Sequence, residues 1–162
     1  MAHMSKTLAP AAHPLPGRRS LRGMTLIELL VAVAIVGILG SLAYPSYVQY
    51  VTRTKRSVGK SLLLQVADRQ EQFFANNKSY AADLTALGYP ANGFMVDDTG
   101  AVVADGSSDR LYRITLTDTT AFTYTANAAP QLKQATDDVH CQTLTLTHTG
   151  TRGQTGDSTD CW

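Results

Sequence analysis

The chain has 162 residues, a formal net charge of +1, a hydrophobic fraction of 44% and two cysteines. This length and composition exclude a disordered chain and suit one folded domain with an appended segment. The charge is distributed unevenly, because residues 1–23 contain four basic residues and no acidic one. The remainder is acidic, with ten basic and thirteen acidic residues.

Residues 1–23 are interpreted as a leader, because Pro10, Pro14 and Pro16 disfavour a stable helix there. An apolar run follows, from Met24 to Ala43, and its one charged residue is Glu28. A twenty-residue helix spans about 30 Å, the thickness of a bilayer core. The leader's three arginines directly before the run favour a cytoplasmic N-terminus (Arg18, Arg19 and Arg22). This pattern predicts a helix that spans a membrane once.

The junction of leader and run carries a specific motif, Gly23-Met24-Thr25-Leu26-Ile27-Glu28. It resembles the class III signal of type IV prepilins, although the family more often has Phe where this chain has Met24. The resemblance implies cleavage between Gly23 and Met24, N-methylation of Met24, and Glu28 as an assembly determinant. Pseudopilins of type II secretion systems share this signal, so it does not by itself separate the two classes.

Gly37 and Pro45 lie in and just after the apolar run. A proline inside a helix removes one backbone hydrogen bond, and glycine adds flexibility. One interpretation is that the helix ends at the membrane surface, and the other is that it kinks and continues. The resemblance implies the second, with Gly37 and Pro45 at the kink.

From Tyr47 to Asn76 the pattern is helical again, because apolar residues recur at spacings of three, four or seven. This stripe consists of Val51, Val58, Leu62, Val66 and Phe73. Taken from Met24, the helix has some fifty residues, far more than a globular helix usually has. Residues 78–109 form a connecting region whose aspartates and glycines match no calcium-loop spacing.

Three later segments alternate apolar and polar residues, which indicates half-buried antiparallel strands. They are Leu111–Thr117, Ala121–Asn127 and His140–Thr147. Their predicted inward residues are Tyr112, Ile114, Leu116, Phe122, Tyr124, Ala126, Leu144 and Leu146. We therefore expect an α+β fold in which an antiparallel sheet of three to four strands covers the long helix. The resemblance implies the same arrangement, the pilin fold.

Cys141 and Cys161 bracket a glycine-containing tail near the C-terminus. A disulfide that closes a loop of about twenty residues contributes roughly 3 kcal/mol. The alternative is a zinc site with His140 and His148, but their spacing differs from that of zinc sites. The end of the chain resembles PilE-type minor pilins, which implies a C-terminal loop bounded by a Cys141–Cys161 disulfide.

The sequence contains no catalytic, metal-binding or cofactor-binding pattern. We therefore predict that the chain is not an enzyme. From residue 77 onward it has five basic residues against ten aspartates, a sign of charge that disfavours DNA binding. A cluster of basic residues on the helix (Arg53, Lys55, Arg56 and Lys60) would be largely hidden in a filament. DNA binding would then depend on a local basic patch elsewhere on the head.

The resemblance implies a type IV pilin, in the minor-pilin class, that forms or primes a filament for twitching motility, adhesion or DNA uptake. Residues 1–23 are the expected leader, 24–50 the membrane and polymerisation half of the helix, and 51–162 a periplasmic head. Expected partners are other pilin subunits, the prepilin peptidase and N-methyltransferase, and the assembly platform of the inner membrane. The expected location is the inner membrane and then the extracellular pilus.

Two alternatives stay open at this point. One is a pseudopilin of a type II secretion system, against which the Cys141–Cys161 loop argues. The other is a signal-anchored periplasmic binding domain that does not polymerise, which processing at Gly23 would exclude.

Overall fold

The computed structural model of the protein describes residues 23–162. The leader predicted for residues 1–23 therefore lies outside the described residues, apart from Gly23. The chain forms two compact units, one that ends at Leu39 and one that runs from Gly40 to Trp162.

Helix α1 (Leu26–Asn77) begins directly after a threonine that caps it. The Glu28 N–H donates to Thr25 Oγ1 over 3.3 Å, and the Leu29 N–H donates to the Thr25 carbonyl over 3.2 Å. These bonds satisfy backbone donors that the first turn of a helix leaves free. The helix has 52 residues, which confirms the predicted length. Its bounds include Gly37 and Pro45, and the kink there stays a prediction.

The sheet has six antiparallel strands in the order β2-β1-β3-β4-β5-β6. The strands are β1 (Phe94–Val96), β2 (Val102–Val103), β3 (Tyr112–Thr117), β4 (Thr125–Pro130), β5 (Leu144–Thr147) and β6 (Arg152–Gln154). A 3-10 turn (Thr85–Leu87) precedes β1, and a short helix, α2 (Leu132–Asp137), connects β4 to β5. This arrangement confirms the predicted α+β pilin-like fold.

The core of the head lies between α1 and one face of the sheet. Its fully buried members include, from the helix, Leu63 and Val66 and, from the sheet, Tyr112, Ile114, Ala126, Ala128 and Leu144. Gly59 lets the helix approach the sheet closely, since a Cβ there would lie 3.3 Å from the Tyr112 ring. Of the predicted helix stripe, Leu62 and Val66 are buried in this core, Val58 and Phe73 pack against it half-buried, and Val51 is not part of it. Most of the predicted inward residues of the strands are also buried.

Two details of the sheet differ from the prediction. Six strands are present where three to four were expected, because β1, β2 and β6 are only two or three residues long and show no alternation. Phe122 was expected to point inward, but it is 67% exposed in the loop between β3 and β4. The hydroxyl of Thr120 accepts hydrogen bonds from the N–H groups of Phe122 and Thr123, so this segment turns and does not extend the strand.

A buried ion pair joins α1 to the segment that follows α2. Arg56 donates to both carboxylate oxygens of Asp138, over 3.0 Å from Nε and 2.5 Å from Nη2. This hydrogen bonding raises the pKa of the Arg56 guanidinium above its ordinary value, although burial opposes it. Gln134 Nε2 donates to Asp138 and to the Tyr112 hydroxyl, whose pKa burial raises. The network places four polar side chains inside the head, each with a partner.

The C-terminal loop is closed by a disulfide between Cys141 and Cys161, as predicted. The sulfur atoms are bonded to each other, so they are not available as zinc ligands. Within this loop, a Cβ at Gly156 would overlap the carbonyl of His140. The Gly156 N–H donates to the Cys141 carbonyl over 3.2 Å. The glycine thus allows the tail to lie against the start of β5.

We expect Arg56→Met to lower the free energy of unfolding by about 3–5 kcal/mol, because it leaves the Asp138 carboxylate buried without its partner. Arg53→Met is the matched control, since Arg53 forms a 4.0 Å pair with Asp160 in which both side chains are exposed. Such an exposed pair contributes about 0–1 kcal/mol. Denaturant unfolding of the full chain in a neutral detergent measures both values, and equal losses would contradict this role for Arg56.

Replacing both cysteines, Cys141→Ala with Cys161→Ala, should lower the free energy of unfolding by about 3 kcal/mol, because the unfolded chain regains the freedom of an open loop. Limited proteolysis should then cut the tail between residues 150 and 162 before any other part of the head. If the tail of the variant resists protease as well as that of the wild type, the other contacts of the loop hold it in place without the disulfide.

Candidate functional site

The segment of α1 in the first unit exposes an apolar surface. Leu26, Ile27, Val36 and Ile38 are between 64% and 77% exposed, and the part of α1 described up to Leu39 has no buried residue. By length and composition α1 is apolar enough to cross a membrane. An apolar surface of this extent is covered by lipid or by another protein.

Glu28 is the one charged residue of this segment, and it lies in the first helical turn. Its backbone N–H bonds to Thr25, while its side chain is exposed. A carboxylate at this position is favoured by the helix dipole, by about 0.3–1 kcal/mol at exposed sites. The predicted roles of Gly23 and Met24 in cleavage and methylation, and of Glu28 in assembly, stay predictions.

The four basic residues that sequence reasoning grouped on the helix do not form one patch. Arg56 is buried against Asp138, and Arg53 lies near Asp160. Lys60 is half-buried, and its burial lowers the pKa of the ammonium group, as does nearby Arg56. Sequence reasoning missed the Arg56–Asp138 pair because 82 positions separate the two residues.

The fourth helix cation, Lys55, faces a cleft on the head. Arg110 and Lys133 also line this cleft, whose volume is about 240 Å³. Two carboxylates, those of Asp98 and Asp109, line it as well. Three segments that are distant in sequence thus bring three cations together, and two acids offset most of their charge.

A cavity of about 620 Å³ lies between α1 and the C-terminal loop. Its charged lining is mostly acidic, with Asp137, Asp138, Asp157 and Asp160 against two arginines. His140 lies at this cavity and pairs with Asp157 over 2.9 Å, and this contact lowers the pKa of the Asp157 carboxyl. Among the described residues no three His, Cys, Asp or Glu side chains are grouped as metal ligands would be.

Two family models match the chain. Residues 18–44 match the prokaryotic N-terminal methylation motif, and residues 45–145 match the type IV minor pilin ComP, DNA uptake sequence receptor. Comparison with curated proteins gave no match. The second model covers more than half of the chain and most of the head. A pilin is a structural subunit, so the prediction that the chain is not an enzyme is confirmed.

The description of that family contradicts one expectation, that the acidic head disfavours DNA. The expectation rested on the total charge of the chain from residue 77 onward. Exposed charges further apart than about 8–10 Å are largely screened at physiological salt, so the total does not decide what a local surface binds.

The Gly23–Glu28 motif lies within the first match, and two further features agree with a pilin: the long helix on an antiparallel sheet, and the C-terminal disulfide. The chain therefore belongs to the family of the type IV minor pilin ComP, which is described as a DNA uptake sequence receptor.

Proposed function

We propose that this chain is a subunit of a type IV pilus whose head captures DNA for uptake. The observation that carries this proposal is the match of residues 45–145, most of the head, to the ComP family. The exposed apolar segment supports the pilus assignment, because a subunit of this class resides in the inner membrane and then in the filament. The pseudopilin alternative has no comparable support.

On this proposal, residues 24–50 are the membrane and polymerisation half of α1, and residues 51–162 are the head. Cleavage after Gly23 frees the α-amine of Met24, which prepilin peptidase then methylates. Other pilin subunits and the inner-membrane assembly platform are the further partners.

Glu28 is the assembly determinant in this proposal. In a filament core, water is lost from the helix surfaces and an unpaired carboxylate becomes costly. The α-amine of Met24 of an adjacent subunit would offset the charge of Glu28 and fix the axial stagger between subunits. In the membrane, by contrast, Glu28 in the first turn reaches the headgroup region.

DNA capture requires cations that are free to meet phosphates. Lys55, Arg110 and Arg113 form no ion pair within the described part of the chain. Arg110 donates to the carbonyl of Ser107 over 2.7 Å, which holds its guanidinium in place. Sequence reasoning counted these residues but had no means of telling which ones aspartates neutralise.

Glu28→Ala should leave membrane insertion intact and reduce the share of the subunit in sheared pili at least tenfold, because the partner of the Met24 amine is lost. Glu28→Asp, with a shorter reach, should be intermediate. Quantitative immunoblots of sheared pili and membranes measure the partition. If Glu28→Ala enters pili as efficiently as the wild type, the proposed pairing of Glu28 with the Met24 α-amine of an adjacent subunit is wrong.

The full chain in a neutral detergent should bind fluorescently labelled duplex DNA saturably at 50 mM salt. Each cation that contacts a phosphate should contribute about −0.9 to the slope of log K against log salt concentration. Fragments from the genome that encodes the chain should bind more tightly than unrelated DNA of equal length. Absence of saturable binding to either DNA at 50 mM salt would refute the receptor role.

A further inference from the structure

On the outer face of the sheet, opposite α1, threonines occupy five of the eight outward positions of β3, β4 and β5. The strand register places Thr115, Asn127, Thr145 and Gly153 in one row across β3, β4, β5 and β6. A second row contains Thr117, Thr125 and Thr147. These residues alternate with the buried ones, so they point away from the core.

This face contains no carboxylate. The six strands contain neither Asp nor Glu, although the head as a whole is acidic. Asp118 marks the border, since it follows β3 and accepts a hydrogen bond from the Thr117 hydroxyl over 3.3 Å. A polyanion can therefore approach the sheet without meeting a negative charge on the strands.

Arg113 supplies the positive charge of this face. It pairs with Ala129 on β4 and with Met95 on β1, beside the threonine rows. Its side chain is exposed and forms neither a hydrogen bond nor an ion pair within the described residues. The guanidinium is thus available to an external anion.

Several hydroxyls of the face are also available as donors. Those of Thr115, Thr125 and Thr145 have no hydrogen-bond partner in the described part of the protein. Two glycines lie beside these groups. The Thr145 hydroxyl lies over Gly153, where a Cβ would be 2.7 Å from Thr145 Oγ1, and Arg113 lies beside Gly93, where a Cβ would be 3.6 Å from Nη2.

We propose that the outer face of the sheet is the surface on which the DNA backbone lies. Arg113 forms the ion pair with a phosphate, and the hydroxyls of Thr115, Thr125 and Thr145 donate to phosphate oxygens. Hydroxyl and guanidinium groups are common donors to the DNA backbone, and such contacts position the protein on the duplex. This assignment rests on the proposed DNA-receptor function and adds the residues that contact the ligand.

The cavities of the head fit a polyanion less well. The cleft beside Lys55 includes the carboxylates of Asp98 and Asp109, the larger cavity includes four aspartates, and a third cavity includes Glu71. The strands of the sheet carry no carboxylate that would repel a phosphate. Charge complementarity therefore selects the outer face of the sheet.

The test measures binding of a labelled duplex to the full chain in neutral detergent by fluorescence anisotropy. Arg113→Gln should weaken binding about tenfold, the loss of one charge-assisted hydrogen bond. It should also reduce the salt slope by about 0.9. Lys60→Gln is the matched control, since it removes the same charge from α1, on the other side of the sheet, and should change binding less than twofold.

A second pair of variants adds one negative charge on each side of the sheet. Thr145→Asp should weaken binding at least tenfold, and Ser61→Asp on the exposed surface of α1 should not. Thr145→Val removes the hydroxyl alone and should weaken binding two- to fivefold. Thermal unfolding of each variant checks that the head stays folded.

The outcomes separate this assignment from the receptor function itself. If the wild type binds no DNA, the surface assignment and the receptor function are both wrong. If the wild type binds while Arg113→Gln and Thr145→Asp bind as well as it does, the receptor function stands and the surface is wrong. If these two variants instead enter pili poorly while they still bind DNA, the face contacts a neighbouring subunit, which also overturns the assignment.

Discussion

The buried ion pair between Arg56 and Asp138 connects α1 to a segment 82 positions further along the chain. Arg56 also donates from Nη1 to the carbonyl of Asp160 over 3.2 Å, directly before Cys161. One guanidinium therefore holds the helix, the segment after α2 and the C-terminal loop. Since an isolated buried charge is costly, loss of this pair destabilises all three segments. The position of β5 and β6 relative to α1, and hence the geometry of the sheet, depends on this pair.

The sequence predicted those parts of the fold in which a pattern repeats often enough to be recognised. Helix α1 repeats its apolar stripe over many turns, and β3 and β5 show clear alternation. The strands β1, β2 and β6 are too short for a period to be visible. Phe122 fits the alternation of its segment but lies in a loop. Its backbone N–H donates a hydrogen bond to the Thr120 hydroxyl, and this bond replaces a backbone bond of the sheet.

The candidate surface was predictable only in part, for a related reason. The alternation alone places Thr143, Thr145 and Thr147 on the outer face of their strand. Which threonines of other strands lie beside them depends on register, and a shift by one residue would turn each of these side chains to the other face. The register of β4 against β5, with Asn127 opposite Thr145, is therefore what assembles single threonines into rows.

The acidic charge of the head and its carboxylate-free sheet face have a common origin in local structure. Asp83 and Asp97 accept hydrogen bonds from side-chain hydroxyls and backbone N–H groups of their own turns, which lowers the pKa of both carboxyls. Aspartate is favoured in such turns and disfavoured in strands. These residue preferences place the acidic side chains in the turns and keep them out of the sheet. The excess of acids in the turns and loops then repels a polyanion, whereas the sheet with Arg113 does not. If DNA binds the sheet face, the negative charge of the surrounding loops restricts the side from which DNA approaches the head, and so helps to orient the two molecules.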